Sequence, residues 1–307
     1  MVDLKLSIPD TFFKEEVRWE YVISEKMKEV WAVELDLLAE FDRVCKKRNI
    51  EYMASGGTLL GAVRHHGFIP WDDDIDVMMR RDDYDKLCDI ASDEFKSPYF
   101  FQLLQSDPAY PRAYAKLRNC TTTAIQESCR DAGFKFNQGI FIDIFPLDAV
   151  ATTPYNRMIQ KIKCNYYKNQ VAYSVSLANH YSLLHTGKLY KIDKFLSRWF
   201  RSCKVIDPLY NMNKLEYYCK KYVSNWTEHL SKLSFQPKNK EQWISLQELE
   251  ELVYFDFEFL KIPVPKGYDA ILKRRYGNYL KPINTGGYHG DHYFDTNKSF
   301  KEYIKCF

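Results

Sequence analysis

Between Gly67 and Met79 the chain reads GFIPWDDDIDVMM, with four carboxylates inside five positions and apolar residues on both sides. A solvated acidic run is ordinarily bordered by other polar residues, so this one lies at the edge of a core. From Asp74 to Met79 the pattern alternates as in a strand, with Asp74, Asp76 and Met78 on one face and Ile75, Val77 and Met79 on the other. Two carboxylates two residues apart on a strand repel each other. A shared proton, a basic partner or a metal ion must offset that repulsion. A third carboxylate, Asp143, stands alone in the apolar run GIFIDIF, where an unpaired charge is costly. Asp74, Asp76 and Asp143 together would make an all-oxygen metal site, which suits Mg²⁺ or Mn²⁺ and not Zn²⁺. An EF-hand is disfavoured, because counting from Asp72 puts Val77 at the sixth position, where Gly is needed, and Asp83 at the twelfth, where Glu is usual.

The surrounding pattern predicts a helix over residues 15–48, with Met27, Trp31, Leu35, Leu38, Phe41 and Cys45 as its apolar stripe. Residues 51–54 read as a short strand, 58–66 as a short helix closed by Gly67, and 82–95 as a helix. Residues 110–118 and 121–126 read as adjacent strands. The strongest strand, 139–145, is expected to end at Pro146. After Thr152 the chain turns helical and Tyr-rich, and near its end 255–265 reads as extended and 268–279 as helical. The expected fold class is α/β, with a mixed α+β sheet and a largely helical insertion. Four parts follow: a helical segment 1–49 packed on the core, a catalytic core 50–150, a basic helical insertion 151–250, and a C-terminal element 251–307 completing the core.

Ser55-Gly56-Gly57-Thr58 falls between the predicted strand and short helix. Glycine admits close backbone approach, and a helix N-terminus offers N–H groups and the positive end of a dipole, which together suit phosphate. The same residues also suit a plain tight turn. They make neither GxGxxG nor a P-loop. A Gly-Gly turn, one helix, an Asp-x-Asp strand and a later Asp strand follow the active-site order of the nucleotidyltransferase fold, in which carboxylates hold metal ions for phosphoryl transfer. Arg64 and His65 are further candidates for phosphate, or are cations complementing the helix C-terminus. Lys116 and Arg118 alternate on one strand face and are candidates to neutralise a diphosphate, or belong to a surface strand. Asp72 and Asp73 read as supports of the site.

GGTLLGAVRHHGFIPWDDDIDVMMRRDDYDKL resembles the signature of LicD-type phosphocholine transferases, to which fukutin and the fukutin-related protein are distantly related. AKLRN, TTTAIQE, GIFIDIFPLDAV and FEFLKIPVPKGYDAILKRRYGNYLKP resemble the family's later elements. The resemblance implies a nucleotidyltransferase-like core and a transferase of substituted phosphate groups. It implies a CDP-linked alcohol donor, CDP-choline above all, a glycan hydroxyl as acceptor, CMP as leaving group, and a role in lipopolysaccharide or capsule biosynthesis. Asp74, Asp76 and Asp143 match its metal-binding aspartates, and Gly56 and Gly57 its glycine turn. Asp143 is also a candidate to accept the attacking hydroxyl's proton. His289, Asp291 and His292 fall where relatives carry histidines, but TGGYHGDHYFD departs from their pattern.

Charge and cysteines narrow the alternatives. The net charge of +3 does not by itself argue for nucleic acid, yet residues 155–204 hold ten Lys or Arg against one acid, Asp193. Within them, 187–204 reads as a basic helix with Trp199 and Phe200 on its apolar side. Such a helix either packs on the core or makes peripheral contact with anionic membrane. No nucleic-acid module accompanies the charge. The eight cysteines form no CxxC and no zinc spacing, and the N-terminus has no apolar signal core. A cytoplasmic protein, peripheral at the inner face of the membrane if helix 187–204 docks there, is the expectation. Two other functions compete: a true nucleotidyltransferase moving a nucleoside monophosphate, and a non-catalytic glycan- or lipid-binding protein.

Overall fold

The computed structural model describes residues 1–126, 133–179, 207–222, 227–235, 243–282 and 292–304. The basic segment 187–204, His289 and Asp291 lie outside the described residues. The apolar stripe from Met27 to Cys45 lies in helix α1 (Glu25–Arg48), opened by Ser24, whose hydroxyl accepts from the Met27 N–H, and closed by left-handed Asn49. The helix does not begin at residue 15. Instead β1 (Glu16–Arg18) and β2 (Tyr21–Ile23) form an antiparallel hairpin. Trp19 and Glu20 both take positive φ, 53° and 62°, and this reverses the chain before α1 can start.

The core follows in order: β3 (Met53–Ala54), α2 (Gly56–His65), β4 (Ile75–Arg80), α3 (Arg81–Glu94), β5 (Tyr99–Gln102), β6 (Ala115–Asn119), β7 (Thr123–Gln126) and β8 (Phe141–Ala149). Helices α4 (Pro154–Ala178) and α5 (Pro208–Lys220) come next, then β9 (His229–Ser231) and β10 (Ile244–Ser245). A hairpin of β11 (Leu252–Phe257) and β12 (Leu260–Pro265), helix α6 (Tyr268–Tyr276), β13 (His292–Asp295) and a short α7 (Phe300–Ile304) finish the described chain.

Strand β8 is the axis of a mixed seven-stranded sheet. On one side it pairs in parallel with β4, beyond which lies β3. On the other, its first half pairs with β6 and its end with β9, both antiparallel. Pro146 therefore does not end the strand. It sits where β6 has left that flank and β9 has not yet joined, a position where a residue without an N–H is tolerated. Strand β7 is not a neighbour of β6 in the sheet. The chain turns at Cys120–Thr122, and β7 pairs with β13 instead.

One large apolar cluster unites α1, the main sheet, β12 and α6, while a second, with Leu104, Cys164, Val175, Met212 and Leu215, lies between α4, α5 and the sheet. The architecture is thus mixed α and β, as the pattern predicted. No described helix is long and apolar enough to cross a membrane.

Candidate active site

The parallel register of β4 and β8 sets Asp76 beside Asp143, and the antiparallel register of β6 sets Lys116 on the other side of Asp143. Directly opposed residues share a sheet face, so Asp76, Asp143 and Lys116 form one row across three strands. Lys116 Nζ lies 2.6 Å from Asp143 Oδ1. Burial lowers the Lys116 ammonium to about 8, with Asp143 opposing the shift. Asp74 precedes β4 directly; burial, then Asp76, Asp72 and Asp143, push it well above the usual carboxylate range. Asp76 is raised to about 6 by burial, opposed by Lys232 and Arg275 and reinforced by Asp143 and Asp72.

The glycine turn abuts these acids. Ser55 caps α2 without a side-chain bond into the first turn, and its N–H donates to Asp76 O at 3.0 Å. Thr58 Oγ1 accepts from the Asp76 N–H at 2.7 Å, which ties the helix start to the acid strand. Gly56 has φ +58°, and a Cβ there would fall 2.7 Å from Asp76 Oδ2; one on Gly57 would fall 2.4 Å from Asp72 Oδ2. No larger residue fits between this turn and the carboxylates.

Asp72, Asp73 and Asp74 also converge, each offering an oxygen within 4.8 Å of the others. Asp72 and Asp73, expected as supports, thus join Asp74 as candidate ligands. Asp73 Oδ2 is buried and accepts no hydrogen bond among the described residues; its nearest cationic candidate is His292 Nδ1 at 3.5 Å. Beneath them Glu34 of α1 is 1% exposed, with Oε2 likewise unbonded, and burial followed by Asp74, Asp73 and Asp72 holds its carboxyl well above the ordinary range. Six carboxyls (Glu34, Asp72, Asp73, Asp74, Asp76, Asp143) thus share a region with three cations, Lys116, Lys232 and Arg275. An excess of buried oxygen donors fits a hard divalent cation.

Other sequence candidates lie apart. Arg64 and His65 end α2, about 12 Å of helix from Gly56 and Gly57. There Arg64 donates to Tyr279 O at 2.7 Å and to His65 Nε2 at 2.9 Å. Arg118 shares the Lys116 face, but it is 3% exposed and donates to Gln102 Oε1 and to Gly139 O. Its fork is committed to bracing the sheet.

Two cations escaped the sequence reading. Lys232, just past β9, is 4% exposed, and its ammonium lies 4.1 Å from the Phe145 ring centroid. Burial lowers it to about 8, against the pull of Asp76, Asp143 and Asp74. Arg275 of α6 brings Nη1 to 3.7 Å from the position of a Cβ on Gly56. Lys232 lies in the stretch EHLSKLSF, where nothing in the sequence sets it apart from an ordinary surface cation. Arg275 was inside the matched YDAILKRRYGNYL, where it reads as one of three last-turn cations.

Residues 49–179 match the family model described as LicD/FKTN/FKRP, nucleotidyltransferase domain. The chain is 28% identical over 263 residues to the lipopolysaccharide cholinephosphotransferase LicD of Haemophilus influenzae, covering 83% of this chain and 91% of that protein. It is 41% identical over 78 residues to an uncharacterized protein of Rickettsia prowazekii, covering 25% of this chain and 27% of that one. An uncharacterized protein of Rickettsia typhi is 45% identical over 64 residues, or 20% and 19% of the two chains.

Proposed function

We propose, from the match of residues 49–179 to the LicD/FKTN/FKRP model and the likeness to LicD, that the chain transfers a phospho-alcohol group, phosphocholine first, from a CDP-linked donor to a glycan hydroxyl. The observation that carries this reading is the acidic site itself. Asp76, Asp143 and Lys116 stand in one row, beside a glycine turn and the Asp72–Asp74 cluster. A site with no chemistry to perform has no reason to tolerate that much buried repulsion.

A divalent cation bound here supplies charge neutralisation for the diphosphate. Asp72, Asp73 and Asp74 would hold it, with Asp76 adjacent on the same face. The α2 glycines give the donor's phosphates close access to the backbone. The acceptor oxygen forms a bond to the distal phosphorus, and the bond from that phosphorus to the bridging oxygen breaks. Its electron pair leaves on CMP, and the hydroxyl's proton passes to Asp143, whose carboxylate Lys116 orients. The acceptor is a cell-surface glycan or its lipid-linked precursor, reached at the cytoplasmic face of the membrane. Lost sedimentation with anionic liposomes on neutralising Lys191, Lys194 and Arg198 would support that placement, and no binding by the unmodified protein would end it.

The reaction is tested by CMP release from a panel of CDP-linked alcohols with Mg²⁺, with and without chelator, beside Asp74→Asn. Slow hydrolysis of one donor, lost in both controls, is the expected result. Pyrophosphate release from a nucleoside triphosphate and a sugar would replace this reading with nucleotidyl transfer, which the description of the matched domain keeps in play. No turnover and no binding of any donor would sink the site assignment.

A further inference from the structure

The cations of the site are not equivalent. Lys116 is committed to Asp143 at 2.6 Å, and Arg118 to Gln102 and Gly139. The Lys232 ammonium makes no ion pair within 4.0 Å and no hydrogen bond among the described residues, although the residue is 4% exposed and its carbonyl accepts from the Phe235 N–H. A buried ammonium held by nothing closer than an aromatic ring is costly to the fold. Arg275 likewise has no ion pair among the described residues, and the two cations repel each other. Both act on Asp76, which abuts the start of α2; there Ser55 leaves the first turn without a side-chain cap, and Arg275 Nη1 lies 3.7 Å from the position of a Cβ on Gly56. Two cations without an ion pair among the described residues, Arg275 being held only by Tyr276, together with a helix N-terminus that bears a glycine, describe a place for an anion that bridges them.

We infer that Lys232, Arg275 and the N-terminus of α2 form a subsite for the phosphate that leaves with the nucleotide, so that they bind nucleoside diphosphates and monophosphates. The inference rests on the proposed reaction for the identity of its ligand, and it divides the labour within that reaction. The acids Asp72–Asp74 take the cation, and Lys232 and Arg275 take the leaving group. When the bond from the distal phosphorus to the bridging oxygen breaks, the new charge appears on an oxygen facing these two side chains. They therefore hold both the bound donor and the departing CMP. Lys116 stays with Asp143.

The test measures binding of CDP, CMP and inorganic pyrophosphate to the full chain by calorimetry, with Mg²⁺ present. It compares Lys232→Met, Lys232→Arg and Arg275→Ala. Methionine keeps the apolar stem and removes a buried charge, so Lys232→Met is expected to fold; melting curves check it. Should it not fold, Arg275→Ala, at a half-exposed position, carries the test alone. Expected are about tenfold or greater losses of CDP affinity in Lys232→Met and Arg275→Ala, with partial rescue by Lys232→Arg. In turnover the same variants should raise the donor KM and lower kcat, because these side chains meet both the bound donor's phosphate and the charge formed on it. Unchanged CDP affinity in a folded Lys232→Met or Arg275→Ala overturns the subsite, as does an unmodified protein that binds neither CDP nor pyrophosphate. An unmodified protein that binds CDP through Lys232 yet turns over no CDP-linked alcohol keeps the subsite and loses the proposed reaction.

Discussion

The acidic half of the site and its cationic half are assembled in opposite ways. The glycine turn, Asp72, Asp73, Asp74 and Asp76 all come from residues 55–76, fixed by the Thr58 and Ser55 hydrogen bonds to the Asp76 backbone. The cations come from β6, from the segment after β9 and from α6, at positions 116, 232 and 275. Local hydrogen bonds tie Asp76 to the α2 turn, and of the acids only Glu34 and Asp143 come from distant elements, α1 and β8. The cations reach them only through tertiary packing. Metal binding is therefore expected to outlast donor binding when the fold is loosened, and the comparison can be attacked at four points.

The largest effect belongs to Asp76→Asn, which should cut CMP release by about 10²–10³-fold, the range for losing one preorganised electrostatic group. Residual activity above a tenth of the unmodified rate would contradict the placement of Asp76 in the reacting site.

The second point concerns stability and pH. Asp76 has its folded pKa raised, so its stabilising contribution is present at low pH and is lost as pH rises from about 4 through about 6. Asp74 and Glu34 are shifted in the same direction. Without metal, the melting temperature of Asp76→Asn relative to the unmodified chain should climb between pH 4.5 and pH 7.5. Mg²⁺ at a hundred times its Kd should add about 2.7 kcal/mol to the unmodified chain at pH 7.5. A melting difference that does not change with pH would remove the repulsion from the account.

A smaller effect separates two glycines of α2. Gly56→Ala would place a Cβ 2.7 Å from Asp76 Oδ2 at φ +58°, and Gly61→Ala would place one 2.4 Å from Gly67 O. Each should cost about 1–3 kcal/mol of stability. Only Gly56→Ala should also weaken Mg²⁺ and CDP binding, measured well below both melting points. Equal binding defects in the two variants would mean that the turn acts through general helix damage.

The smallest effect is expected at Arg64→Ala, which lies at the far end of α2 and holds Tyr279 O. Loss of one such bond costs about 1 kcal/mol, and donor KM should stay within about twofold. A tenfold rise in KM would return Arg64 to the phosphates.

This contrast also explains what the sequence disclosed. Two acids two residues apart on an alternating strand, and one acid inside GIFIDIF, report their own cost, because the period of a strand fixes which face each takes. Lys232 sends no such signal. Its significance lies in the β8–β9 pairing, which brings residues far apart in the chain together. Glu34 was hidden differently: in AVELDLL it reads as one of the charged residues set between the apolar positions of a helix, and only its packing under Asp72–Asp74 makes it unusual. The residue 15–48 helix was extended too far because periodicity cannot detect a two-residue turn in which non-glycine residues adopt positive φ. Pro146 misled for a related reason. A proline ends a strand only where a neighbour needs its N–H, and neighbours are not written locally.

Because β8 runs parallel to β4 and follows α3, β5, β6 and β7 in the chain, Asp143 cannot lie beside Asp76 until those elements have been synthesised. A chain emerging from the ribosome thus carries its acidic run for some time with no third carboxylate beside it. Lys232 follows later, and Arg275 later still. Under the proposed reaction, the order of synthesis would let the cation-binding acids be complete before the groups that would bind the nucleotide.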